Sequence, residues 1–331
     1  MKHCANIPIF VPHAGCPNAC IFCDQRTISG AQAAPGPAQA AGLCRSALAG
    51  LPAGIKTVEI AFFGGSFTAI PRGQMVALLE AVQPFLADPR AAGIRVSTRP
   101  DAIDPQVLAL LRRYGVAAVE LGVQSMDDTV LDKNRRGHTA AQTAEASRLI
   151  RGAGLELGHQ IMLGMYGDTP EGFLRTVEAS IALRPATARI YPVTVLPGTG
   201  LEQLWRRGAY QPPTLAEAVE LGAQALRRYT AAGVRVIRMG LHATPELETR
   251  RVAGVYHPAF RELCESRVLL DAALEQVSER PAGPCTAVVA VGARSKMTGQ
   301  RRCNLAALQQ AGHPAAVRED ARLGYLQVIV E

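Results

Sequence analysis

Ile7-Pro8-Ile9-Phe10-Val11-Pro12-His13-Ala14-Gly15-Cys16-Pro17-Asn18-Ala19-Cys20-Ile21-Phe22-Cys23 is a short apolar run that ends in a segment bearing three cysteines. The run reads as a strand, and Gly15, Pro17 and Asn18 make the cysteine segment an irregular turn rather than a helix. The scheme recurs outward along the chain. Strand-like residues 57–63 run into Gly64-Gly65-Ser66, 94–97 into Thr98-Arg99, and 117–121 into a segment that carries Gln124, with further strands at 156–162 and 188–193. Amphipathic Ala/Leu-rich stretches at 39–48, 72–86, 105–114, 140–152 and 170–183 lie between them, the last opened by Asp168 and Thr169 as caps. Six such βα units predict an α/β fold with a parallel sheet. Candidate residues that fall directly after successive strands predict a partial (β/α)6 TIM-like barrel, whose site forms at the carboxyl ends of the strands. A doubly wound sheet also fits the alternation.

A helix over 215–231 leads to a short strand at 234–237, after which the texture changes. Residues 269–277 read as a helix, 286–291 and 323–330 as strands, and 279–284 as a Pro/Gly-rich break. The expected division is a core over 1–242 and a small α+β C-terminal unit over 243–331, a possible substrate-recognition cap. The Ala/Pro/Gly stretch 31–42 reads as a loop or linker. A chain of 331 residues with 48% apolar content can bury a large core without disulfides. Pro8 interrupts the longest early apolar run, which is too short for a signal segment or a membrane span, so a cytoplasmic location is expected. A formal charge of +7 favours an anionic partner.

Cysteine thiolates are the usual ligands of iron–sulfur clusters, and three of them leave one iron of a cubane free for an outside ligand. The three-then-two spacing of Cys16, Cys20 and Cys23 suits such a [4Fe–4S] cluster. Two other readings are open: a structural zinc site, with His13 or Cys4 as the fourth ligand that tetrahedral geometry wants, and three free thiols in a loop. Cys4, Cys44, Cys264, Cys285 and Cys303 read as ordinary small apolar residues.

Taken together, the cysteine segment, Phe62-Phe63-Gly64-Gly65-Ser66-Phe67-Thr68, Ser97-Thr98-Arg99-Pro100-Asp101 and Glu120-Leu121-Gly122-Val123-Gln124-Ser125 resemble the radical S-adenosylmethionine (radical SAM) superfamily. The resemblance implies that S-adenosyl-L-methionine binds the unligated iron and is cleaved reductively to a 5′-deoxyadenosyl radical, with an electron donor such as a flavodoxin or ferredoxin. It also implies roles for single residues. Gly64 and Gly65 let the backbone approach the methionine end, Phe22 packs on the adenine, Thr98 and Gln124 hydrogen-bond the ribose or methionine, and Arg136 pairs with the methionine carboxylate. Ser66 stands where an acidic residue often follows the glycine pair, and Gln160 where related enzymes often have Asp; both can contact S-adenosylmethionine through neutral hydrogen bonds, which makes Ser66 a further cofactor-binding candidate.

Within the superfamily, residues 7–242 resemble the radical SAM domain of the Elongator catalytic subunit and its bacterial relatives, through Arg136-Gly137-His138-Thr139, Arg189-Ile190-Tyr191-Pro192, Gly198-Thr199-Gly200-Leu201, Leu204-Trp205 and Arg238-Met239-Gly240-Leu241-His242. That likeness implies modification of RNA, specifically tRNA. The cysteine spacing departs from the wider first interval of the Elongator subunit. About ninety residues follow His242, too few for a full acetyltransferase domain. The basic stretch Ala293 to Arg302 reads as a glycine-containing loop that contacts phosphates. The alternatives are a small acidic metabolite such as a tetrapyrrole as substrate, since the Gln124-to-Arg136 interval also occurs in oxygen-independent coproporphyrinogen oxidases, and a zinc-binding structural or RNA-binding protein.

Overall fold

Seven strands run parallel in one sheet and in chain order: β1 (Cys4–Val11), β2 (Thr57–Gly64), β3 (Ala91–Thr98), β4 (Val116–Gln124), β5 (Glu156–Leu163), β6 (Thr187–Pro192) and β7 (Arg235–Met239). The structure, a computed structural model, describes residues 4–12, 14–16, 20–29, 33–241 and 245–331; the predicted features at His13, Pro17, Asn18 and His242 lie outside the described residues. Helices α1 (Pro37–Gly50), α2 (Arg72–Val82), α3 (Pro105–Arg113), α4 (Ala140–Gly152), α5 (Pro170–Ala182) and α6 (Leu215–Ala231) supply the crossovers, with shorter helices left unlabelled. Sequential parallel pairing with each helix returning to the next strand curls the sheet into a half-barrel. β1 and β7 do not pair, so the barrel stays open.

Local signals start the helices. Asp104 Oδ1 accepts from the Val107 amide at 2.7 Å to cap α3, and Thr169 Oγ1 accepts from the Gly172 amide at 3.0 Å to cap α5, while Asp168 instead receives the Thr169 amide. Thr139 and Thr214 form capping boxes with Gln142 and Glu217. Alternate strand residues face opposite sides of the sheet. Ile94, Val96, Val119, Leu121 and Val123 pack in the main core with Leu79, Leu108, Leu111, Ile150, Phe173 and Leu226. Their neighbours Arg95 and Glu120 join Glu59, Glu156 and Arg189 in an ion-pair network. Arg95 reaches Glu59 at 2.8 Å, Glu156 at 2.9 Å and Glu120 at 3.4 Å, and Arg189 reaches Glu120 at 2.9 Å.

A second sheet places β8 (Cys285–Val289) between β9 (Ala315–Glu319), parallel to it, and β10 (Val328–Val330), antiparallel. Helix α7 (Phe260–Val277) joins the two cores: Phe260, Cys264 and Val268 belong to the first, Leu269, Ala273 and Val277 to the second. Gly222 of α6 permits this docking, since a Cβ there would stand 2.8 Å from Cys264 Sγ.

Several expectations are corrected here. The strand read at 234–237 is a full member of the parallel sheet, as β7. The helix read over 269–277 begins nine residues earlier, and the predicted linker 31–42 is already helical from Pro37. Ala293 to Arg302 is not a loop but helix α8 (Arg294–Thr298) and a 3-10 turn (Gln300–Arg302), followed by α9 (Cys303–Gln310). Strand β9 went unread. Cys4 and Cys303 are exposed rather than apolar packing residues, whereas Cys44 and Cys264 are buried. Among the described residues no helix is long and apolar enough to cross a membrane.

Candidate active site

The segments at the ends of β1, β2 and β3 are stitched to one another by backbone and hydroxyl bonds. Gly65 N donates to Val11 O at 2.9 Å and Ser66 N to Ala14 O at 2.8 Å, which seats the β2 turn beneath the cysteine segment. A Cβ on Gly65 would lie 2.1 Å from Ala14 O and 2.5 Å from Val11 O, so this approach is open only to glycine. Gly64 carries φ +104 and its carbonyl accepts from Gln25 Nε2 at 2.7 Å. Ser66 Oγ bonds Thr98 Oγ1 at 2.9 Å and receives the Arg99 amide at 3.2 Å, and Thr68 Oγ1 meets Thr98 Oγ1 at 2.5 Å.

Together these segments wall a cavity of about 210 Å3 at the carboxyl ends of the strands. Of the residues singled out in the sequence, Cys16, Cys23, Phe22, Gly64, Gly65, Thr98, Gln124 and Arg136 line it. Ser66, fully buried, sits behind the wall in the hydroxyl knot with Thr98, and Cys20 is not on this cavity but faces a separate groove beside Cys23. Gln124 adopts φ +65 at a β4–β5 register shift between Gly122 and Gln124, a bulge that turns its side chain toward Gln160, 3.4 Å away. Arg136 reaches back across the site: Nη1 donates to Cys20 Sγ at 3.1 Å and Nη2 to Gly122 O at 2.8 Å.

Burial pushes the Cys23 thiol up to about 12, with the neighbouring thiols of Cys20 and Cys16 adding to the shift. Burial also raises Cys16, again with help from Cys20, while the Arg136 and Arg99 guanidinium groups pull it the other way. A bound metal would have to displace the protons that burial favours on Cys16 and Cys23. Among the described residues no three His, Cys, Asp or Glu side chains gather for a single metal ion. Cys4 is no fourth ligand. It lies at the opposite end of the eight-residue β1, roughly 23 Å along the strand from Val11.

Among the described residues, three buried nitrogens have no partner: Arg99 Nη1, Arg136 Nε and His138 Nδ1. Arg99 and Arg136 both line the cavity and give it positive charge, although Arg99 already pairs with Asp101 at 2.9 Å. His138 is held down to about 4, first by burial and then by Arg136 and Arg99, and stays neutral with its Nε2 3.3 Å from Val123 O. Glu120, Arg189, Phe10 and Phe63 line the same cavity and carried no role in the sequence reading. Arg189 lies over the Phe63 ring at 4.9 Å and beside the Tyr191 hydroxyl at 3.4 Å. The signal that finds Glu120 and Arg189 is the two-residue period of polar side chains through β3, β4 and β6.

The family model described as the radical SAM superfamily matches residues 10–179, and that of the Radical SAM C-terminal domain matches 185–269. Among curated proteins, the tRNA uridine(34) acetyltransferase of Methanocaldococcus jannaschii is 32% identical over 184 residues, 50% of this chain and 34% of the relative. Elongator complex protein 3 of Mus musculus is 28% identical over 238 residues, 65% of this chain and 42% of the relative. The chain thus spans well under half the length of these two relatives. Among solved structures, the archaeal Methanocaldococcus infernus Elp3 with an N-terminal deletion superposes with a TM-score of 0.65 at 22% identity, over 85% of this chain and 65% of that one. Coproporphyrinogen III oxidase (HemN) from Escherichia coli gives 0.51 at 19% identity, over 70% and 53%. At such identities the structural likeness speaks for the fold.

Proposed function

The chain belongs to the radical SAM superfamily of enzymes, and on that premise we propose that Cys16, Cys20 and Cys23 hold a [4Fe–4S] cluster whose fourth iron takes S-adenosylmethionine. The observation that carries the proposal is convergence: side chains and glycines from the ends of β1 to β4 meet on one cavity, with Cys16, Cys23 and the guanidinium-bearing Arg99 and Arg136 among its lining residues. Such a cluster, held by Cys16, Cys20 and Cys23, would supply the one electron needed for reductive cleavage of the sulfonium of S-adenosylmethionine.

The protein's part is to bind, orient and keep water out. Arg136 has its Nη1 on Cys20, its Nη2 on Gly122 O and, among the described residues, no partner for its Nε, so it can hold a thiolate and offer one further donor to a carboxylate. Gly65 lets backbone polar groups approach a ligand amine. Thr98 is pinned by Ser66 and Thr68, which fixes its oxygen for a ribose hydroxyl. Ser66 acts through Thr98 rather than by touching the ligand. Phe10, Phe22, Phe63 and Met162 give the cavity an apolar side on which an adenine can rest.

RNA, in particular tRNA, is the substrate class we propose. Its support is the likeness to a tRNA uridine(34) acetyltransferase, the charge of +7, and the exposed Arg294, Arg301 and Arg302. The same proposal gives substrate recognition to the C-terminal unit expected over 243–331, of which Val255, Phe260, Cys264 and Val268 pack in the barrel core and residues from Leu269 on form the second core.

Anaerobic reconstitution with iron and sulfide, reduction, and assay for 5′-deoxyadenosine tests the reaction class. Wild type is expected to cleave S-adenosylmethionine, and Cys20→Ala to lose both iron and cleavage. A fully loaded protein that makes no 5′-deoxyadenosine, or equal product from Cys20→Ala, overturns it.

A further inference from the structure

The cysteine segment has two faces. Cys16 and Cys23 border the interior cavity, whereas Cys20 and Cys23 border a separate groove of about 460 Å3. The groove's other lining includes Lys133, Arg135 and Arg207, all exposed, and among the described residues no carboxylate pairs with any of them. Arg206, the neighbour of Arg207, shows the contrast: it is bound to Glu202 at 2.7 Å.

Two backbone bonds tie the cations to the cysteines. Ile21 N donates to Asn134 O at 3.3 Å, and Leu201 N to Ile21 O at 2.7 Å, so the segments that carry Lys133 and Arg135 on one side and Arg207 on the other both grip the residue after Cys20. Arg135 is left-handed, φ +53, and the chain there splits two adjacent guanidinium groups: Arg136 goes in to Cys20 and Arg135 goes out to the groove.

We propose that this groove is the docking site of an acidic protein that carries a one-electron redox centre. The proposal rests on the cluster assignment above, because cleavage of a sulfonium consumes one electron per turnover that a donor must deliver. A substrate carbon must reach the interior cavity; a donor need only reach the thiolates, and the groove exposes them from outside. The positive rim attracts a negative donor surface and orients it. RNA would be drawn by the same charge, but the groove leads to Cys20 and Cys23 and not to the cavity where a radical would react.

The triple variant Lys133→Gln, Arg135→Gln, Arg207→Gln tests this, with Arg206→Gln as control. An acidic flavodoxin is titrated into the apo-protein by calorimetry, and bleaching of the reconstituted cluster is followed by stopped flow with flavodoxin hydroquinone or with dithionite. The triple variant is expected to bind flavodoxin at least tenfold more weakly and be reduced by it roughly tenfold or more slowly. Its iron content and dithionite rate should match wild type. Unchanged flavodoxin binding and reduction, an equal slowing with dithionite, or lost tRNA affinity with intact flavodoxin binding each overturns the docking site. A wild type that takes up no iron defeats the cluster assignment instead, and the apo-protein titration still decides the groove.

Discussion

At the scale of single residues, the site depends on how closely two backbones can approach. The carbonyls of Val11 and Ala14 that crowd Gly65 are main-chain atoms and cannot swing aside as a side chain would. Gly65→Ala must therefore push the cysteine segment away from β2. The expected cost is about 1–3 kcal/mol in stability, together with a marked fall in iron bound on reconstitution; thermal melting and iron analysis check both, and a variant that melts and loads like wild type contradicts the packing described. The cysteines, the glycine pair and Arg136 were legible in the sequence because each sits in a short local pattern. Glu120 and Arg189 were not given roles, since their meaning comes from partners far off in the chain. Glu120, for instance, lies 69 residues from Arg189 and 25 from Arg95.

At the scale of elements, His159 on β5 shows how the helices are clasped to the sheet. Tyr229 of α6 donates to Ser180 Oγ at 2.8 Å, Ser180 of α5 lies 2.8 Å from His159 Nδ1, His159 Nε2 lies 3.0 Å from Ser147 Oγ of α4, and Ser147 donates to Thr143 O at 2.7 Å. Reading the donors in turn assigns the proton to Nε2 and leaves Nδ1 as the acceptor. A second proton has no acceptor in this chain of bonds, and burial holds His159 down to about 3. The folded pKa lies below the free value of 6.5, so the unfolded chain takes up a proton that the folded chain refuses. The stability from this residue is complete above pH 6.5 and is lost as pH falls toward about 3, with a slope of at most about 1.4 kcal/mol per pH unit. Urea denaturation across that range should show wild type weakening steeply and His159→Gln, less stable at neutral pH, weakening less steeply; parallel curves would remove His159 from the acid response. Elements of this core were legible because amphipathic helices and apolar strands alternate without interruption. Those past Gly240 were harder: α8 has five residues and no side-chain cap, the turn after it runs through left-handed Arg301 (φ +52) and Arg302 (φ +64), and only Gly299 hints at such a backbone.

At the scale of the molecule, α7 buries one half in each core, so the C-terminal sheet is carried rigidly on the barrel through α6. Contacts within the second core hold the α8–α9 turn from below: Asn304 Nδ2 donates to Ser266 Oγ at 2.9 Å and to Lys296 O at 3.1 Å, and Lys296 reaches Glu265 at 2.6 Å. Lys296 is thereby neutralised, while Arg301 and Arg302 stand exposed on a fixed support with no ion-pair partner among the described residues. Fixed, unpaired cations suit phosphate oxygens, and each phosphate neutralised releases condensed counterions. If tRNA lies across this turn, the slope of log affinity against log salt should become shallower by about 2 in Arg301→Asn with Arg302→Asn. Asn is the right replacement because it tolerates the left-handed backbone while removing the charge, so a folding defect is not confused with lost contacts. Fluorescence anisotropy with labelled tRNA over a potassium chloride series measures the slope. A wild-type affinity indifferent to salt would remove RNA as substrate, and a double variant with the wild-type slope would leave these arginines as solvated surface and move the RNA contact elsewhere on the barrel.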